Sequence, residues 1–159
     1  MKEVRSGPSR GGASGERSRA AGTGLQTRRV ALEILRRVEA DRAYADLLLG
    51  HRLPEFANPA DRRLLTILVL GTIAWQGRLD YELAQLSSRK LDELDPEVRS
   101  ILRLGLYQLR RLSRIPAHAA VDTSVRLARE LRGGSGASGF VNAVLRAAIR
   151  DPVAAGSIG

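Results

Sequence analysis

Two Asx-Pro pairs, Asn58-Pro59 and Asp95-Pro96, each open a stretch whose apolar residues recur at helical spacing. An Asx side chain accepts a hydrogen bond from the first free backbone N–H groups of a helix. Proline just inside it lacks only a donor that would go unused. The pairs therefore predict helices over 59–75 and 96–112, and Ile115-Pro116 breaks the second and leads into another over 117–132. Nothing in between alternates like a strand, which constrains the fold to helices packed on helices.

The remaining elements follow from periodicity. From Thr27, the residues Val30, Ala31, Ile34, Leu35 and Val38 share one face of a first helix. A second over 42–52 turns Tyr44, Leu47, Leu48 and Leu49 inward. The helix after Asn58-Pro59 is apolar on nearly every side and reads as the central buried one. Asp80 opens a fourth, with Leu83 and Leu86 inward, and the sixth turns Val121, Val125, Ala128 and Leu131 inward. Gly133–Gly136 ends that helix, Ser138 caps the last one, and Asp151-Pro152 stops it after Ile149. The expected fold is all-α, with about seven helices in two packed bundles.

A weak internal repeat supports two bundles. Leu68-Val69-Leu70-Gly71-Thr72-Ile73 aligns with Leu102-Arg103-Leu104-Gly105-Leu106-Tyr107, each block following an Asx-Pro start. Glycine inside a helix costs about 1 kcal/mol against alanine. Two at matched positions predict that helices cross closely there.

Composition narrows the function classes. The net charge is +9, which favours a polyanionic partner. Arginine outnumbers lysine 24 to 2, a ratio that GC-rich coding explains as well as phosphate binding does. The absence of cysteine removes disulfides, thiolate metal sites and Cys nucleophiles, and fits a reducing cytoplasm. No apolar signal region is visible, and the apolar run Leu64–Trp75 is shorter than the roughly 20 residues of a membrane span. The reading is a soluble cytoplasmic protein. Residues 1–24 hold six Gly, four Ser and five basic residues with almost nothing to bury, so they read as a disordered basic arm. Residues 25–150 form the helical domain, and 151–159 a tail or truncated linker.

A search for chemistry finds no active site. Gly134-Ser135-Gly136-Ala137-Ser138-Gly139 matches G-x-G-x-x-G, but a helix and not a strand enters it, so it reads as a flexible connection. His51 and His118 lie on different helices without metal-ligand spacing. His118 and Asp122 can face each other across one turn, and a surface hydrogen bond is the better reading than a catalytic dyad, since no nucleophile accompanies them. No catalytic residue, cofactor or metal is expected.

Basic stripes offer more. Arg99, Arg103, Arg110 and Arg114 fall on one side of the fifth helix with Tyr107 beside them. Its apolar residues (Val98, Ile101, Leu102, Gly105, Leu109, Leu112) point the other way. Such a row can track a phosphate backbone and stack a base. Arg28, Arg29, Arg36 and Arg37 form a second basic face, into which the arm runs. For both, a merely solvated polar face stays open.

Three blocks carry a resemblance: Arg103-Leu104-Gly105-Leu106-Tyr107-Gln108-Leu109, Ile115-Pro116-Ala117-His118-Ala119-Ala120-Val121-Asp122 and Phe140-Val141-Asn142-Ala143-Val144-Leu145-Arg146. Over residues 26–149 the chain resembles the NusB-like domain. That domain occurs alone as an antitermination factor, and at the front of bacterial ribosomal-RNA cytosine methyltransferases of the RsmB (Sun) family. Gly71-Thr72-Ile73-Ala74-Trp75 and Ala137-Ser138-Gly139 before the third block look more like the methyltransferase branch. The resemblance implies a fold of about seven helices in two bundles and nominates Arg28 and Arg29 for RNA. Where many NusB sequences carry Asn-Glu, this chain has Asp122-Thr123.

Enzymes of that branch continue into an S-adenosylmethionine-binding α/β domain with a catalytic Cys, whereas this chain stops at Gly159 and has no Cys. The leading expectation is a non-catalytic RNA-binding domain for ribosomal-RNA methylation, whether truncated, excised or half of a split enzyme. Its partners would be ribosomal RNA and a methyltransferase domain in trans, without membrane or metal. A NusB-type antitermination factor, binding leader RNA and a ribosomal protein, is the alternative. A helical protein–protein adaptor is the third.

Overall fold

The computed structural model describes residues 12–152, with side chains from Gly24 onward except Ser135. Seven α-helices make up the described chain: α1 (Gly12–Asp41), α2 (Ala45–Arg52), α3 (Pro59–Ala74), α4 (Gln76–Leu86), α5 (Pro96–Arg111), α6 (Ala117–Arg129) and α7 (Gly134–Arg150). Short 3₁₀ turns at Leu53–Glu55 and Leu91–Glu93 link α2 to α3 and α4 to α5, and there is no strand among the described residues. The arm expected over 1–24 falls partly outside the described residues, and the backbone of α1 is already helical at Gly12.

Both Asx-Pro starts form as their chemistry requires. The Asn58 side chain accepts from the Ala60 N–H at 2.8 Å, and that of Asp95 from the Glu97 N–H at 3.0 Å. Each satisfies an orphan donor of the first turn and fixes where α3 and α5 begin.

Two apolar cores result. One gathers Val30, Ala31, Ile34 and Leu35 of α1 with Leu48, Leu49, Phe56, Leu65, Leu68 and Val69, and takes Leu104 from α5. The other packs Leu79 and Leu83 of α4, Ile101, Leu102 and Leu106 of α5, Val121 and Leu127 of α6, and Val141 and Leu145 of α7, with Leu32 from α1. Helices α1 and α5 therefore lie between the two bundles and feed both. That makes α5 the central helix: every residue from Ser100 to Gln108 is buried. The expectation that α3 would be central is corrected, because Ile67 and Leu70 on its outer side remain exposed. A helix apolar all round has the composition of a buried one, but here nothing among the described residues covers its far face.

Four local expectations also change. On α2, Leu48 and Leu49 are buried while Tyr44 and Leu47 are 76% and 63% exposed. Eight residues pack on one side only, so the expected inward set cannot all be inward. Helix α4 begins at Gln76, directly after Trp75, which places Asp80 in its second turn and not at its cap. The glycine-rich segment is helix from Gly134 onward, so it is no flexible connection, and Ser138 lies buried inside α7. The turn is made instead by Gly133, whose φ of 72° is the left-handed conformation that glycine adopts without a Cβ clash.

The paired glycines do mark close crossings. A Cβ on Gly71 would collide with the Tyr107 ring of α5, and one on Gly105 would come within 2.8 Å of both Leu145 and Ser124. The two glycines let α5 approach α3 on one side and α6 and α7 on the other.

Candidate nucleic-acid interface

The two basic faces have opposite fates. On α5, Arg103 is 8% exposed and grips Asp80 of α4 through both carboxylate oxygens, at 2.7 and 2.9 Å. Arg110 donates to buried Glu82 at 2.8 Å and to the backbone carbonyls of Ala148 and Asp151. Arg99 donates to Glu39 of α1 at 2.5 Å and to the Leu91 carbonyl at 3.2 Å. Tyr107 is buried against Gly71, and burial pushes its phenol above the ordinary value despite the nearby Arg111 charge. Only Arg114, past the end of the helix, is exposed. The view of this stripe as a polar face turned away from the core is corrected for Arg99, Arg103 and Arg110, which are buried or half-buried with their charges matched to carboxylates of α1 and α4.

Burial explains why the pairs are internal. An unpaired guanidinium in such a place would lose several kcal/mol of hydration, whereas a bidentate carboxylate restores much of it. Glu39 shows the balance. Burial pulls its carboxyl upward, but the hydrogen bond from Arg99 and the charges of Arg99, Arg103 and Arg36 outweigh that and hold it below its ordinary value of 4.5.

On α1 the arginines divide. Arg28 turns inward, donating to Gln108 at 2.8 Å and to the Gly24 carbonyl at 2.9 Å, and burial lowers its pKa. Arg29, Arg36 and Arg37 line a groove of about 510 Å³ between α1 and α6, joined by Arg52 from α2. Glu33, Glu97 and Glu130 line it too. Here the ion pairs sit at the surface: Arg29 with Glu130 at 2.5 Å, Arg52 with Glu33 at 2.6 Å, and Arg37 loosely with Asp41 at 3.8 Å. The hydrogen bond from Arg29 holds the Glu130 carboxyl below its ordinary value. Such exposed pairs are worth about 0–1 kcal/mol, so a phosphate can take over their guanidiniums, unlike those of α5.

Arg52 was not singled out in the sequence. Its position across from α1 follows from how α2 folds back, which no local pattern encodes.

The NusB family pattern matches residues 25–150. The chain belongs to the NusB family. This NusB-family chain is 40% identical over 123 residues to a probable ribosomal RNA small subunit methyltransferase B of Synechocystis, covering 77% of this chain and 27% of that protein. It is 39% identical over 127 residues to the Bacillus subtilis protein of the same description, covering 79% of this chain and 28% of that one. A transcription antitermination protein NusB of Halorhodospira halophila is 38% identical over 78 residues, or 49% of this chain and 50% of that protein. The chain thus spans little more than a quarter of the methyltransferase relatives' length. Among solved structures, antitermination factors NusB and NusE in complex with dsRNA include a chain of the same fold. Its TM-score is 0.70 at 22% identity, over 82% of this chain and 97% of that one.

Of the two residues that the NusB resemblance nominates, Arg29 is at the groove and Arg28 is inside. Asp122 pairs with Arg126 at 3.3 Å and not with His118, although both residues line a second groove, of about 550 Å³, between α6 and α7. No group of three His, Asp or Glu side chains among the described residues could hold a metal ion. No helix among them is long and apolar enough to cross a membrane.

Proposed function

We propose that this NusB-family domain binds ribosomal RNA and positions it for methylation by a partner domain, in the cytoplasm, without itself carrying the chemistry. The observation that carries this reading is the α1–α6 groove, where Arg29, Arg37 and Arg52 hold exchangeable surface pairs and Arg36, which shares Glu39 with α5, lines the same wall. The net charge of +9 supplies long-range attraction to RNA, and the methyltransferase relatives supply the ribosomal class. A methyltransferase domain acting in trans or in the same chain would complete the activity.

The test is fluorescence anisotropy of labelled small-subunit ribosomal-RNA fragments over a salt series. Affinity is expected to fall steeply with salt, as counterions are released from neutralised phosphates. Replacing Arg36 and Arg37 with Ala should weaken binding evenly across sequences and flatten the log–log salt slope by about one to two units. Binding unchanged by those replacements at low salt would sink the groove as the RNA site.

One observation favours a second reading, antitermination: the relation to NusB itself at 38% identity over about half of each chain. In that case a ribosomal protein, and not a methyltransferase domain, would raise RNA affinity when added to the mixture.

A further inference from the structure

Trp75 is the chain's only tryptophan, and its placement is unusual. It ends α3 and directly precedes α4, so its backbone is held from both sides: its N–H donates to the Gly71 carbonyl at 3.0 Å and its carbonyl accepts from Leu79 N–H at 2.9 Å. The indole nonetheless stays 37% exposed, and the Arg111 guanidinium stacks 3.5 Å from the ring centroid. Beside the pair lies a hollow of about 230 Å³ lined by Trp75, Arg78, Leu79, Glu82, Arg110 and Arg111.

The charges of that hollow are unequal. Glu82, 3% exposed at its side chain, accepts from Arg110 at 2.8 Å and from Arg78 at 3.3 Å. Arg111 has no carboxylate partner among the described residues. Among the residues lining the hollow, three guanidiniums face one carboxylate, and the Arg111 cation is held by an aromatic face.

We infer that this corner of α3, α4 and α5 is a site for one unpaired nucleotide of single-stranded RNA. The base stacks on the Trp75–Arg111 platform, and an adjoining phosphate meets Arg111, the guanidinium of the hollow without a carboxylate partner among the described residues. Unpaired bases stack on aromatic rings and guanidinium planes alike, and both are present on a rigid mount. A volume below that of drug-sized pockets suits one base and excludes a base pair. The inference rests on the RNA reading above but uses different helices from the α1–α6 groove. It assigns single-stranded recognition here and leaves backbone tracking to the groove.

The full chain is titrated with short oligoadenylate and, separately, with a closed RNA hairpin. Tryptophan emission reports this site alone, and the anisotropy of a label on the RNA reports total binding. Oligoadenylate is expected to quench the emission saturably, while the hairpin binds without quenching. Trp75→Ala should weaken oligoadenylate binding about five- to a hundredfold and leave hairpin binding unchanged, with Trp75→Phe intermediate. Arg111→Gln, at an exposed position that supports no core contact, should weaken oligoadenylate several-fold and guards against misfolding of the Trp75 variants. If both RNAs bind, yet emission stays constant and none of the three variants changes oligoadenylate affinity, the nucleotide site is overturned and the RNA function stands. If neither RNA binds, the function reading falls and this site with it.

Discussion

The Tyr107 ring occupies the space in which a Cβ on Gly71 would lie. The residues belong to α5 and α3, and their contact lets the central helix feed the first apolar core through Leu104 while its other side serves the second. Tyr107, which the sequence offers as a base-stacking residue, is here a spacer between bundles.

Gly71→Ala tests that contact. Alanine should gain about 1 kcal/mol of helix propensity, but the displaced ring costs about 1–3 kcal/mol of overpacking. The expected net is a lower melting temperature by several degrees. Combining it with Tyr107→Phe, which removes the nearest atom, should recover part of the loss. A melting temperature at or above the parent's would refute the contact.

Arg103→Ala should destabilise the domain by roughly 1–3 kcal/mol, because Asp80 would lose its buried bidentate partner while Glu39 keeps Arg99 and Arg36. Asp80→Asn should lose less, since that side chain is 30% exposed and the amide still accepts one hydrogen bond. Chemical denaturation checks both. Arg37→Ala, with its 62% exposed side chain, should leave the unfolding midpoint unchanged and act on RNA affinity alone.

The domain should weaken in acid. Glu39 and Glu130 are held below their ordinary values when folded, so unfolding releases them to bind protons more readily. Their contribution is complete above pH 4.5 and is lost as pH falls below it through the folded values. Glu39→Gln should lower stability at neutral pH and flatten the decline below that point, as read by urea midpoints over a pH series. An unchanged slope would mean that the Arg99 and Arg103 pairing does not bias protonation.

Gly133→Ala isolates backbone strain. An added Cβ meets nothing within 4 Å, so any cost comes from the positive φ of 72°. A loss of about 1 kcal/mol is expected, with Gly133→Asn losing less because asparagine tolerates the left-handed region. Equal stability of the Ala variant would show that the α6–α7 turn relaxes to another geometry.

Local chemistry in the sequence determined the helices. Asn58, Asp95 and the prolines after them act within one turn, and the apolar spacing of Val30, Ile34 and Leu35 declares a buried face wherever the partner lies. The glycines of the repeat announced close crossings for the same reason, since a missing Cβ is a property of the residue alone. Only the tertiary structure decided which arginines remain available. Arg28, Arg99, Arg103 and Arg110 are indistinguishable by periodicity from Arg29 and Arg37. Their fate depends on Gln108, Glu39, Asp80 and Glu82, residues that lie 80, 60, 23 and 28 positions away from them in the chain. A charge can be buried only where a distant carboxylate or amide happens to face it, and that pairing exists only after the helices have packed.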